Sequence, residues 1–111
     1  SREVSDVALP IRGTVPAWIE GTLLRTGPAQ FEVGGQAFNH WFDGFAMLHR
    51  FHIGEGAVVY GNRYLRSRAR ERALAEGRIA YREFGTDPCW SLFQRVMAIF
   101  RSERTDNCGV S

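Results

Sequence analysis

The stretch Phe38-Asn39-His40-Trp41-Phe42-Asp43-Gly44-Phe45-Ala46-Met47-Leu48-His49-Arg50-Phe51 holds two of the three histidines, one of the three tryptophans and four of the eight phenylalanines. A polar Asp43-Gly44 pair interrupts it. From Phe45 onward the pattern alternates, with Phe45, Met47, His49, Phe51 and Ile53 on one side and Ala46, Leu48, Arg50 and His52 on the other. That is the period of a β-strand, in which successive side chains point to opposite faces. A surface loop has no use for so much aromatic mass, and a plain core strand has no use for His and Asp between the rings. The stretch reads as an inner strand of a larger β-structure, close to a site.

Gly54-Glu55-Gly56 follows as a turn of hairpin length, and a second strand returns from Ala57 to Leu65. Upstream, Gly21 to Arg25 reads as a strand ended by Thr26-Gly27-Pro28. Phe31 to Gln36 is a short extended piece closed by Gly34-Gly35. Residues 1–20 form an approach segment broken by Pro10, Gly13 and Pro16, and the turn at Val15 to Ile19 is expected to pin Trp18 inward. Downstream, Arg66 to Glu76 mixes good helix formers with Arg and Glu and predicts a short, solvated helix stopped at Gly77. Ile79 to Phe84 alternates and predicts a third strand, broken by Gly85-Thr86-Asp87-Pro88.

Asp87 and Pro88 suit the start of another helix. In it Cys89, Phe93, Val96, Met97 and Phe100 share one side at helical spacing. Such a face packs into a core or lies on a membrane. Its only cations are Arg95 and Arg101, which on the residues alone favours the core.

The chain has 111 residues, 44% of them hydrophobic and 23% charged, as expected of a globular domain. A net charge of +2, with arginines concentrated between Arg63 and Arg82, is a local patch and not the footprint of a nucleic-acid binder. No apolar run approaches the roughly 20 residues of a membrane span, and the polar start Ser1 to Asp6 does not read as a secretory signal. Two cysteines, Cys89 and Cys108, fit a reduced, intracellular setting better than a disulfide framework.

His49 and His52 could share a metal on a helix, but on a strand they face apart. Neither His40 nor the cysteines complete a familiar ligand spacing. Asp43 beside Gly44 reads first as a turn residue. There is no phosphate loop and no nucleophile elbow. The residues alone give a β-rich piece with an aromatic strand, and they stop short of a reaction.

Four ordered segments carry a resemblance: Gly21-Thr22-Leu23-Leu24-Arg25-Thr26-Gly27-Pro28, Phe38 to Gly44, Ala46 to Phe51, and Asn62-Arg63-Tyr64-Leu65-Arg66-Ser67. Glu83 to Thr86, Asp87-Pro88-Cys89 and Thr105-Asp106-Asn107 continue it. From about Val15 onward the chain resembles the N-terminal region of the carotenoid cleavage oxygenase family, which includes the retinoid isomerohydrolase of the visual cycle. The resemblance implies an all-β fold, a seven-bladed β-propeller with a helical cap, of which residues 1–111 form an N-terminal fragment. It implies a non-haem Fe(II) dioxygenase that cleaves a conjugated carbon–carbon double bond of a carotenoid or apocarotenoid with O2, giving carbonyl products. Stilbene cleavage and retinoid isomerisation are alternatives within the family. A truncated, membrane-associating piece without activity is the alternative outside it.

By the same resemblance, all four iron-binding histidines are expected downstream of Ser111, so that His40, His49 and His52 are structural. Phe42 and Phe84 match aromatic positions lining the substrate cavity. Cys89 matches a cysteine in a membrane-inserting segment, which shifts the reading of that helix from core to membrane surface and makes Cys89, Phe93, Met97 and Phe100 its expected membrane contacts. The expected location is cytoplasmic and peripheral to a membrane.

Overall fold

A computed structural model describes residues 2–81, 85, 86, 93, 96 and 97. Its centre is the hairpin of β5 (Phe45–Gly54) and β6 (Ala57–Tyr64). Gly54 pairs with Ala57, leaving a two-residue loop. Both loop residues, Glu55 (φ 51°) and Gly56 (φ 73°), are left-handed. A two-residue loop of that hand matches the right-handed twist of the strands it joins. β1 (Val4–Ala8) and β2 (Gly21–Gln30) complete a sheet of order β1-β6-β5-β2, antiparallel throughout.

Two departures from the expected strands have local causes. β2 does not end at Thr26-Gly27-Pro28 but runs to Gln30, with a register shift between Pro28 and Gln30. β2 is an edge strand, and an edge or bulge is where a residue lacking an N–H is tolerated. β1 lies inside the expected approach segment. Its register shifts between Val4 and Val7, where Asp6 takes φ 54°. The bulge is anchored by polar groups. Asn62 Oδ1 accepts from the Val4 N–H at 2.7 Å, Glu3 accepts from the Tyr64 N–H at 2.9 Å, and Asp6 pairs with Arg50.

Trp18 is 82% exposed and not pinned inward. The Ile19 N–H bonds to the Pro16 carbonyl at 3.0 Å, closing a turn that throws Trp18 outward at its third position.

The core gathers at one end of the sheet. Phe38 and Phe45 meet edge to face, 5.1 Å between centroids at 89°, and join Val33, Ile79, Ala69 and Ala73. Burying a phenylalanine side chain contributes about 1.5–3 kcal/mol. Ala69 and Ala73 belong to α1 (Arg68–Glu76) and are one turn apart, so this helix turns one face inward and is solvated only on the other. Ser67 caps its start by accepting from the Arg70 N–H at 3.0 Å. Gly77 ends it in the left-handed conformation (φ 64°). In the last turn Arg72 donates to Glu76 at 2.6 Å and Arg78 pairs with the same carboxylate at 2.7 Å. The hydrogen bond from Arg72 holds the Glu76 carboxyl below its ordinary range.

A two-stranded ribbon, β3 (Glu32–Val33) and β4 (Gln36–Ala37), lies against the end of that helix. A Cβ on Gly34 would fall 1.5 Å from the Gly77 carbonyl oxygen, so only glycine fits there. Gln36 accepts from the Ile79 N–H at 2.9 Å. Ile79 to Tyr81 is therefore not the start of a third strand: its first N–H is taken by a side chain and Ile79 enters the core. The remainder of that expected strand, 82–84, lies outside the described residues.

Candidate functional site

Between the ribbon and β5 the chain makes a single 3-10 turn, Trp41–Asp43. His40 caps it, with Nδ1 accepting from the Phe42 N–H at 3.2 Å and its carbonyl accepting from the Asp43 N–H at 3.0 Å. The turn sorts its side chains sharply. Trp41 and Phe42 point outward, 64% and 46% exposed, and stack on one another at 4.9 Å and 23°. Asp43 points inward and is 1% exposed.

Buried, Asp43 is more than the turn residue its Asp-Gly context suggests. Its Oδ2 accepts from the Gly85 N–H at 2.9 Å and from the Thr86 hydroxyl at 2.7 Å. Thr86 Oγ1 accepts in turn from the Asn39 N–H at 2.7 Å. One hydroxyl thus ties both ends of the aromatic turn to a segment more than forty residues away. Gly85 sits so close that a Cβ there would lie 2.5 Å from the His40 Cβ and 3.3 Å from Asp43 Oδ2. Oδ1 of Asp43 is buried and has no hydrogen-bond partner among the described residues.

The histidines do not converge. His49 Nδ1 is 2.7 Å from the Tyr60 hydroxyl, which also accepts from Asn62 at 3.1 Å. His52 Nδ1 is 3.0 Å from the Thr22 hydroxyl. The two rings thus have separate partners, on neighbouring β6 and β2, as expected of strand residues that face apart. Among the described residues no group of three or more His, Cys, Asp or Glu could hold a metal. These residues do not fit an iron site.

Of the expected site residues, the structure places Phe42 on the exposed turn. Phe93 and Met97 are helical and exposed, Phe93 at 74%, with Val96 beside them also exposed. Phe84, Cys89 and Phe100 lie outside the described residues. The sequence reading gave Gly85 and Thr86 no site role, taking them as strand breakers and as part of a segment that carries the resemblance. No local pattern marks them, because their partner is Asp43.

A family model described as retinal pigment epithelial membrane protein matches residues 1–111. The chain belongs to this carotenoid oxygenase family. It is 41% identical over 114 residues to a mitochondrial carotenoid-cleaving dioxygenase of Pongo abelii, covering 95% of this chain and 20% of that protein. It is 41% identical over 113 residues to the beta,beta-carotene 15,15'-dioxygenase of Homo sapiens, covering 96% of this chain and 21% of that one. The carotenoid oxygenase chain thus spans about a fifth of the length of these relatives. Among solved structures, a point variant of the Synechocystis apocarotenoid oxygenase matches with a TM-score of 0.78 at 27% identity, over 96% of this chain and 22% of the other. A cobalt-substituted form of that oxygenase matches at 0.68 with 28% identity, over 73% of this chain and 17% of the other. The all-β expectation and its reading as part of a propeller are borne out by this likeness and by the four-stranded sheet.

Proposed function

We propose that residues 1–111 are the N-terminal part of a seven-bladed propeller enzyme that cleaves a conjugated double bond of a carotenoid or apocarotenoid with O2 to carbonyl products. The observation that carries this reading is 41% identity to carotenoid-cleaving dioxygenases across nearly the whole chain. In this reading Phe42, and with it Phe84, lines the cavity that receives the polyene. Two stacked rings on a short, capped turn support the role, because a rigid apolar wall suits a long hydrocarbon and costs little ordering on binding.

The cofactor in this reading is Fe(II), held by four histidines beyond Ser111. The cobalt-substituted relative supports a metal in the family's fold. The described residues offer no site for it, so their part is to shape and dry the cavity.

The test is made on the longer protein that contains this chain. Purified with iron, it is expected to bleach a carotenoid or apocarotenoid in an O2-dependent way and to release aldehydes or ketones. Failure with every carotenoid and apocarotenoid offered overturns the reading.

A second observation concerns membranes. Among the described residues no helix is long and apolar enough to cross one. The exposure of Phe93, Val96 and Met97 at helical spacing supports peripheral attachment through the segment that includes Cys89 and Phe100. Replacing Phe93, Met97 and Phe100 by Ser is expected to abolish co-sedimentation with liposomes, and an unchanged pellet refutes it.

A further inference from the structure

The buried Asp43 cluster lies where two distant stretches of chain meet. Phe42 immediately precedes Asp43, and Phe84 immediately precedes Gly85. The hydrogen bond from the Gly85 N–H to Asp43 therefore joins the chain neighbours of both aromatic positions. Thr86 completes the clamp, since its hydroxyl donates to Asp43 and accepts from Asn39 at the other end of the Trp41–Asp43 turn.

We propose that Asp43 and Thr86 are positioning residues for the polyene: their shared hydrogen bonds hold the Trp41–Asp43 turn, and with it the backbone of Phe42, in one fixed place. The proposal rests on the reading of Phe42 as a cavity residue.

Three features of the cluster favour a positioning role over simple packing. Asp43 is the buried polar member of a turn whose two rings face outward, so the polar and aromatic groups are separated within three residues. Among the described residues the carboxyl group takes its two side-chain hydrogen bonds on one oxygen and from one segment, as a directional tie does. Gly85 approaches His40 and Asp43 too closely for any larger residue, so the clamp tolerates little displacement. A buried tie of this kind fixes wall groups before substrate arrives, which lowers the ordering cost of binding.

The experiment uses the longer, iron-loaded protein and the variants Thr86→Val, Thr86→Ser and Phe42→Ala. Binding of a polyene is read anaerobically by quenching of tryptophan fluorescence, with the number of sites taken from the same titration. Misfolded protein then lowers the site number and leaves Kd unchanged. Thr86→Val removes both hydrogen bonds of the hydroxyl and is expected to raise Kd and KM by about five-fold or more, with kcat nearly unchanged. Thr86→Ser keeps the hydroxyl and is expected to restore both.

Should Thr86→Val yield no folded protein, Asp43→Ala and its conservative partner Asp43→Asn carry the same comparison. If Phe42→Ala weakens binding while Thr86→Val binds as the wild type does, the positioning role is overturned and the cavity reading stands. If Phe42→Ala leaves Kd unchanged, the cavity reading fails and the positioning role falls with it. A Thr86→Ser variant as impaired as Thr86→Val also overturns the proposal.

Discussion

Replacing Asp43 by Ala and by Asn should have very different consequences, and the difference can be worked out atom by atom. Ala removes the acceptor of two buried donors, the Gly85 N–H and the Thr86 hydroxyl. Each donor left without a partner costs about 1–3 kcal/mol. Ala also removes Oδ1, which has no partner among the described residues, and this returns part of that cost. The net expectation is a loosening of about 2 kcal/mol at the clamp.

Asn, by contrast, can place its one oxygen where Oδ2 stands and keep both bonds. Its amide then occupies the position of the unpartnered oxygen, exchanging one unsatisfied atom for another. The net effect should stay within about 1 kcal/mol. The assay is amide hydrogen exchange at Gly85 in the longer protein, because it reports local opening without requiring two-state unfolding of a large chain. Asp43→Ala should speed exchange about 30-fold and Asp43→Asn by no more than about five-fold. Equal acceleration in both variants would mean that Oδ1 has a donor of its own. No acceleration in Asp43→Ala would mean that the clamp holds nothing.

Among the described residues Met47 is the largest fully buried apolar side chain, so Met47→Ala should cost about 2–5 kcal/mol, while the near-isosteric Met47→Leu should cost under about 1.5 kcal/mol, both read from thermal or denaturant melts. Gly34→Ala should destabilise the ribbon against α1, since its Cβ would overlap the Gly77 carbonyl and its φ is positive; loss of exchange protection at the Ile79 N–H is the measurement. The folded-state pKa of Glu76 is depressed by Arg72, so its stabilising contribution is present above the ordinary glutamate range and lost as pH falls through that range and below. Titrating the Glu76 carboxyl by NMR should give a midpoint below that of a free glutamate, and Arg72→Met should raise it.

The readable parts of the chain were those whose signals are local. The β5–β6 hairpin shows itself by alternation on either side of Gly54-Glu55-Gly56, and α1 by Ser67 ahead of it and Gly77 behind it. β1 was hidden because Asp6 and the bulge break its alternation, and its partner is remote in sequence. Trp18 was misjudged because aromatic character says nothing about which turn position a residue occupies. In the Phe38 to Phe51 stretch the inner strand was legible from its alternation, and the separation of His49 and His52 followed from strand geometry. The inward turn of Asp43 was not visible, because Asp-Gly is also an ordinary surface turn and the donors that satisfy it lie more than forty residues downstream.

The strand order carries a consequence for synthesis. Of the four strands in this sheet β1 is made first, yet its partner β6 is made last, with Val4 bonded to Asn62, 58 residues later. At roughly 5–20 residues per second, β1 waits some 3–12 s for its partner to be made. During that interval β2 can already dock on β5. Once β6 has emerged, its free edge is a vacancy that a β1 from another polypeptide could fill until the chain's own β1 docks. The bulge at Asp6 and its pairing with Arg50 make that edge selective for the β1 sequence, and the tether favours the chain's own copy of it.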